Sequence, residues 1–164
     1  MYFPVERIYG RVAVVTQRFK PPTDVSPRGH LGIDLMFRCA IGDAPSKHPL
    51  YTMIAGARSI AMTDARVLYS ELAPNGWRVR LQTGPWHLIY LHHTYNLVSA
   101  GELVRAGQPL GVIGADPTDP QGLAHLHFEL RRQASSGKRD RFGCVAVDPE
   151  ATFGWPFDTL SLDT

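Results

Sequence analysis

The stretch HLHFELRR at residues 125–132 decides the fold, because hydrophobic and polar side chains alternate along it. Successive side chains of a β-strand point to opposite faces of the sheet. The leucines and the phenylalanine are therefore predicted to enter a core, while His125, His127 and Glu129 share the other face. A strand with one apolar and one polar face is typical of an antiparallel sheet.

Other segments predict the same kind of sheet. Strand-like runs are found at 11–16, 32–37, 65–72, 77–82 and 86–93. In the run WRVRL, Arg78 and Arg80 alternate with apolar residues, so we predict that both arginines lie on a solvated face. The 15 glycines and 13 prolines interrupt every stretch long enough for a good helix. The chain is therefore predicted to be mainly β.

Length and composition fit one domain over residues 1–164, of which 44% are hydrophobic and 20% charged. A net charge of +2 without a basic run gives no support for nucleic-acid binding. No run of 18 apolar residues and no signal-peptide core is visible, so we expect neither membrane insertion nor classical export. Cys39 and Cys144 are predicted to be small buried residues, and a disulfide between them stays open.

His30 and Asp34, in the stretch GHLGIDL, are the first candidates for metal ligands. Gly32 between them argues against a helix, so we predict an extended segment on which all three residues share a face. Gly32 would then leave room for a metal. Imidazole and carboxylate are ligands that zinc accepts when one coordination position stays open for water. By itself, the spacing HxxxD is a weak signal.

The stretch WHLIYLHH holds three further histidines. Alternation places His92 and His93 on opposite faces of a strand, so only one of them can point into a given cleft. Periodicity does not say which. His48 and His87 match no motif and are predicted to be surface or loop residues.

Three motifs together resemble a known family. HLGID, then YLHH leading to GELVRAGQPLGVIG, then HLHFEL occur in the order seen in the lysostaphin/LytM-type zinc metalloendopeptidases, metallopeptidase family twenty-three. The resemblance spans about residues 28–149. It implies an antiparallel β-sheet groove or sandwich of the LytM, or duplicated-hybrid-motif, type. Long loops would form the groove walls, at 20–29, 40–50, 115–122 and 133–143.

The resemblance also implies a ligand set. One Zn²⁺ per chain would be bound by His30, Asp34 and His127, the last being the second histidine of the HxH motif. Glu129 has no ligand role in the family, and we expect it to accept a hydrogen bond from a metal-binding histidine.

Two catalytic histidines follow from the same resemblance. His125, the first histidine of HxH, would be an acid/base or a transition-state stabilising residue. The other catalytic histidine of the family lies in a Tyr-x-His-Leu motif about nine residues before a turn glycine. Tyr90 to His92 matches that motif, with Gly101 as the glycine. His93 stands where the family usually has leucine, so a slip by one residue is the alternative.

The implied function is zinc-dependent hydrolysis of the peptide cross-links of bacterial peptidoglycan. One alternative is a catalytically inactive LytM-like module that binds the wall or regulates other proteins. Another comes from a different class, since GELVRAGQPLGVIG resembles the hairpin of biotinyl or lipoyl carrier domains. The three lysines, however, all lie outside that segment.

The expected partners are peptidoglycan stem and cross-link peptides, with a delivery machinery or an immunity protein as further candidates. We expect a monomer that acts in the periplasm or cell wall after non-classical delivery, by phage lysis, by a virion or by a secretion system. The sequence leaves open whether the bond cut joins D-alanine to a diamino acid or lies within a glycine bridge.

Overall fold

The computed structural model describes residues 2–27, 29–39, 51–119 and 122–154. The elements within them are β1 (Ala13–Gln17), β2 (Ile33–Arg38), β3 (Tyr51–Thr52), β4 (Arg58–Ile60), β5 (Ala65–Ala73), β6 (Gly76–Thr83), β7 (Trp86–Asn96), β8 (Leu103–Val104), β9 (Pro109–Ile113), β10 (Leu126–Gln133), β11 (Cys144–Val147) and helix α1 (Pro149–Phe153). All strand pairs of these ranges are antiparallel. The predicted mainly β, antiparallel fold is confirmed.

Strand β10 lies at the centre of the sheet. The strand order is β1-β2-β10-β7-β6-β5-β8, so β10 pairs with β2 on one side and with β7 on the other. His127 is opposite Asp34 in the first pair and opposite Leu91 in the second. The sheet therefore brings the GHLGIDL, YLHH and HLHFEL segments, which are distant in sequence, to one place.

The hydrophobic core lies against one face of this sheet. Leu126, Phe128 and Leu130 of β10 are at most 1% exposed, as the alternation predicted. The Phe128 ring meets the Tyr90 ring edge to face, with 5.2 Å between centroids. Strands β4 and β9 pair with each other, and Leu110 of β9 and Ala61, which follows β4, belong to the same cluster. The opposite face is left for polar side chains.

The segment GELVRAGQPLGVIG does not form a hairpin. Strand β8 pairs with β5, whereas β9 pairs with β4 and β7. The two strands thus have different neighbours, which does not match the hairpin of a carrier domain.

Both cysteines carry free thiols, so the disulfide left open by the sequence is not formed. Cys144 is buried as predicted, while Cys39 is partly exposed. The loop expected at 40–50 lies outside the described residues, and so does His48. Within the described part of the chain, no helix has the length and hydropathy needed to span a bilayer.

Candidate metal centre and active site

Three candidate ligand atoms converge on the polar face of the sheet. Nε2 of His30 lies 3.1 Å from Oδ1 of Asp34 and 3.1 Å from Nδ1 of His127. Nδ1 of His127 lies 2.9 Å from the same Asp34 oxygen. The three side chains are only 12–13% exposed. These are the ligand residues expected from the sequence, and the fold forms a small triangle of their atoms.

The opposite ring nitrogens fix the tautomer of each imidazole. Nδ1 of His30 lies 2.8 Å from the carbonyl oxygen of Arg18, which can only accept, so this nitrogen carries the proton. Nε2 of His127 lies 3.3 Å from Oε1 of Glu129 and donates to it. The hydrogen bond expected for Glu129 is therefore present. Both imidazoles direct a lone pair at the triangle, as metal-binding histidines do.

The donor set fits zinc. Two neutral imidazole nitrogens and one carboxylate oxygen form a common ligand set of zinc sites that keep one position for water or substrate. Tetrahedral bonds of about 2.0–2.1 Å place ligand atoms roughly 3.3 Å apart, close to the 2.9–3.1 Å between these atoms. His30, Asp34 and His127 would hold the ion; their assignment as ligands stays a prediction.

The electrostatics of the site show how strongly these groups interact. Burial alone would raise the pKa of Asp34, but hydrogen bonds from His127 and His30 outweigh it and hold the pKa well below its usual range. Burial would lower the pKa of His127, yet Asp34 and Glu129 raise it to about 9. The site thus favours a cation beside Asp34, which is either a proton on His127 or a metal ion.

Two more histidines border the triangle. Nε2 of His125 is 3.8 Å from Oδ1 of Asp34, and the rings of His92 and His125 are 4.7 Å apart. Nδ1 of His125 donates to the carbonyl oxygen of Leu123 at 2.7 Å, and Nδ1 of His92 donates to that of Asn75 at 2.8 Å. In both rings Nε2 is left to exchange a proton. Burial lowers the pKa of His92, which keeps it neutral near pH 7.

A β-bulge decides that His92, rather than His93, faces the site. Along β7, Val79 is opposite Tyr90 while Trp77 is opposite His93, so two residues of β7 stand against Arg78 alone. His92 has φ 66°, a left-handed conformation that is rare for a residue with a side chain. The extra residue reverses the alternation of the strand.

His93 points into the interior on the other side of β7. Its Nε2 lies 2.8 Å from Oγ of Ser59, and its Nδ1 lies 2.7 Å from Oδ1 of Asn96. The side chain is 2% exposed, and a Cβ at Gly111 would overlap its ring. His93 therefore acts as a buried structural residue, and the slip alternative does not fit this geometry.

Gly32 is needed for a different reason from the one predicted. A Cβ at this position would lie 2.9 Å from Nε2 of His127 and still closer to the carbonyl oxygen of Phe128. The glycine thus makes room for strand β10 and its histidine ring, and only indirectly for a metal.

Two expectations about the rest of the polar face are wrong. His87, expected at the surface, is 2% exposed on β7, and Arg80, expected to be solvated, is 3% exposed on β6. Nε of Arg80 donates to Nδ1 of His87 at 2.8 Å, and Nη1 donates to Oδ2 of Asp140 at 2.8 Å. The turn at 140–143 covers both residues, with the Phe142 ring 4.1 Å from the guanidinium carbon of Arg80. The alternation of polar and apolar residues along a strand does not predict that a distant turn buries its polar face.

Comparison with protein families identifies one match. The sequence profile of peptidase family M23 matches residues 50–140. The matched region contains His92, His125 and His127, whereas His30 and Asp34 precede it.

A curated protein of related sequence is the murein hydrolase activator EnvC of Escherichia coli strain K12. It is 35% identical over 83 residues, which are 49% of this chain and 19% of EnvC. The chain therefore spans about a fifth of the length of this relative.

Two solved structures share the fold. A zinc-containing peptidase from Vibrio cholerae superposes with a TM-score of 0.59 at 23% identity, covering 88% of this chain and 37% of its own. The catalytic domain of the antimicrobial peptidase lysostaphin from Staphylococcus simulans gives a TM-score of 0.60 at 19% identity, covering 90% of this chain and 93% of its own. The likeness confirms the predicted LytM-type antiparallel fold.

Proposed function

The chain belongs to the LytM-type peptidase family M23, and we propose that it is a zinc-dependent endopeptidase that hydrolyses peptide cross-links of bacterial peptidoglycan. The observation that carries the proposal is the convergence of the ligand atoms of His30, Asp34 and His127 beside two further imidazoles. A regulatory or wall-binding module would need neither the oriented lone pairs nor His92 and His125 at their edge. Retention of all five groups favours catalysis.

When bound, zinc lowers the pKa of a coordinated water toward ~7 and polarises the scissile carbonyl. The side chains of His92 and His125 would exchange protons with the reacting groups, and the backbone would orient both rings. His92 is neutral at pH 7 because burial lowers its pKa, so Nε2 can accept a proton. His125 presents Nε2 from the neighbouring position, 3.8 Å from Oδ1 of Asp34, and its proposed role is to stabilise an oxyanion or to protonate a leaving amine. Backbone carbonyls of Asn75 and Leu123 hold both rings in place.

The proposed substrates are stem and cross-link peptides, which lie outside the cytoplasm. We propose that the protein acts there, in the periplasm or cell wall, as a monomeric unit. We propose that the polar face of the sheet is the floor of the binding groove and that the segments at 20–27 and 133–143 form part of its walls.

A second candidate is a catalytically inactive regulator of wall hydrolysis. The match to a murein hydrolase activator favours it, because that relative is 35% identical over 83 residues. The two candidates differ in one measurable property, which is hydrolysis by the purified protein.

The test combines metal analysis with digestion of sacculi. Purified protein is expected to contain about one zinc per chain and to release new amino groups from sacculi, identified by mass spectrometry at the cross-links. Bound zinc with intact sacculi would support the regulator. A protein that takes up no zinc even after soaking in the metal would contradict the proposed centre.

A further inference from the structure

A second polar site lies on the groove floor beside the metal centre, and its interpretation rests on the proposed function. A cavity of about 180 Å³ opens between strands β5, β6, β7 and β10 and the turn at 140–143. We call it the arginine cavity, because four of its wall residues are arginines: Arg78, Arg80, Arg131 and Arg141. An amino-acid-sized polar group fits into such a space.

The charges around the arginine cavity do not balance. The four guanidinium groups meet three carboxylates, on Glu71, Glu129 and Asp140. Glu71 is shared by Arg78 at 2.6 Å and Arg141 at 3.6 Å. Glu129 also accepts from His127, so it serves the metal centre as well. One positive charge is left without a carboxylate of its own.

Arg80 is the most deeply placed of these cations. Its Nη2 is buried and has no hydrogen-bond partner among the described residues. Its neighbour His87 is neutral and adds no charge to this balance, since burial and Arg80 lower the pKa of His87 to about 4. Asp140 shares its Oδ2 with Arg131, at 3.4 Å, and its Oδ1 accepts backbone N–H groups of Phe142 and Cys144. Arg80 thus shares the carboxylate of Asp140 and keeps one buried N–H group unpaired, so an anion that reaches Nη2 would stabilise it.

The arginine cavity is connected to the metal centre by a continuous chain of contacts. His127 donates to Glu129, which accepts from Arg131 at 2.6–2.7 Å, and Arg131 in turn approaches Asp140. Glu129 and Arg80 both lie opposite Ile89, so they are separated by one strand only. Glu129 lines the cavity and lies two residues from His127 along β10, so at about 3.4 Å per residue the cavity begins roughly 7 Å from the triangle, which is the span of about two peptide residues.

We propose that the arginine cavity binds a carboxylate of the substrate next to the scissile bond. Guanidinium groups bind carboxylates by charge-assisted hydrogen bonds, often in pairs. A cross-link that contains a diamino acid with its own carboxylate supplies such a group, whereas an oligoglycine bridge supplies none. The arginine cavity therefore selects a carboxylate-bearing diamino acid cross-link over a glycine bridge.

The test uses matched cross-link peptides and the zinc-loaded protein. One peptide carries diaminopimelate with a free side-chain carboxylate, a second carries its carboxamide, a third carries lysine, and a fourth is amidated at the chain terminus only. The first is expected to be cleaved with a kcat/KM at least about tenfold above the second and third, through KM. If kcat/KM falls for the fourth peptide rather than for the second, the bound group is the terminal carboxylate and not the side-chain carboxylate.

Variants of the cavity arginines distinguish a loss of carboxylate binding from a loss of the fold. Arg78→Gln and Arg141→Gln change side chains that are 33% and 66% exposed, so the fold is expected to persist. Each should reduce the ratio of kcat/KM for the carboxylate peptide to kcat/KM for the carboxamide peptide. Arg132→Gln on β10 is the matched control, because this exposed arginine packs over Trp86 away from the arginine cavity.

Calorimetric titration with the product peptides, which contain no bond left to cleave, measures binding without catalysis. One outcome is that the wild type binds the carboxylate form more tightly, that Arg78→Gln loses this preference, and that the wild type nevertheless cleaves no peptide. That result would support the carboxylate site and refute the proposed function. Equal cleavage of all four peptides by the wild type would refute the carboxylate site and leave the proposed function standing.

Discussion

The two faces of the sheet are made by the same strands but differ in their side chains: the core face is apolar, and the groove face is polar and charged. On the core face, Phe128 and Tyr90 are fully buried among apolar neighbours and contribute mainly to stability. On the groove face, His127 and Arg80 belong to a network of charges that contributes little net stability and that we propose to bind a cation and an anion. Substitutions on the first face should therefore change folding, and those on the second should change binding and rate.

The largest expected effect is that of His127→Ala on the groove face. Removing one of three ligands should abolish stoichiometric zinc binding and lower activity by at least about 10³-fold. Metal analysis and peptide cleavage measure this, and circular dichroism checks that the β fold persists. An active, zinc-containing His127→Ala protein would refute the ligand assignment.

Next in size is His125→Ala. We expect zinc to be retained, because the triangle of ligand atoms is intact, while kcat falls by about 10²–10⁴-fold. His92→Ala should behave in the same way. The neighbouring His93→Leu is the matched control and should keep kcat; equal losses in all three variants would remove the distinction between the two faces.

On the core face, Phe128→Ala should reduce the free energy of unfolding by about 3–5 kcal/mol through lost burial and a cavity. Chemical denaturation measures the change. The folded fraction should still bind one zinc ion. A Phe128→Ala protein with an unchanged free energy of unfolding but no bound zinc would show that the two faces are coupled through β10.

The pH dependence of stability probes a polar group on the core side. Burial lowers the pKa of His93 from 6.5 to about 4, so between these pH values the unfolded chain binds a proton that the folded chain does not. Stability is therefore full above pH 6.5 and falls toward pH 4, by about 3 kcal/mol at most. Denaturation at several pH values should show a smaller decrease in His93→Leu; an unchanged slope would contradict the assignment.

A smaller effect is expected for Gly76→Ala. Gly76 has φ 101°, and a Cβ there would lie 3.3 Å from the carbonyl oxygen of His93. The strain should cost about 1 kcal/mol of stability. Because the turn carries the carbonyl that holds His92, a modest loss of kcat should accompany it. Gly84→Ala, at a turn glycine with open space around it, tests the backbone cost alone.

Alternation explains why so much of the fold was predictable. The period of two in HLHFEL correctly separated Phe128 from His127, because β10 is regular along its whole length. The same rule could not choose between His92 and His93, since the bulge in β7 depends on pairing with β6. Resemblance to the family selected His92, which the geometry places beside His125.

The arginines show the other limit of periodicity. The pattern of WRVRL placed Arg78 and Arg80 on one polar face, and the structure agrees. Whether that face is solvated depends on what covers it, and the cover of Arg80 comes from Phe142, more than sixty residues later in the chain. Burial of this kind is a property of tertiary structure that strand patterns do not contain.

The bulge in β7 has a consequence for protein engineering. Deleting Leu91 would restore a regular ladder with His92 alone opposite Arg78, whereas deleting His92 would leave Leu91 at that position and remove the imidazole from the site. Grafting this segment onto another scaffold would likewise fail unless the Asn75–Gly76 turn travelled with it. The position of the candidate catalytic residue His92 thus depends on the bulge and on the neighbouring turn together.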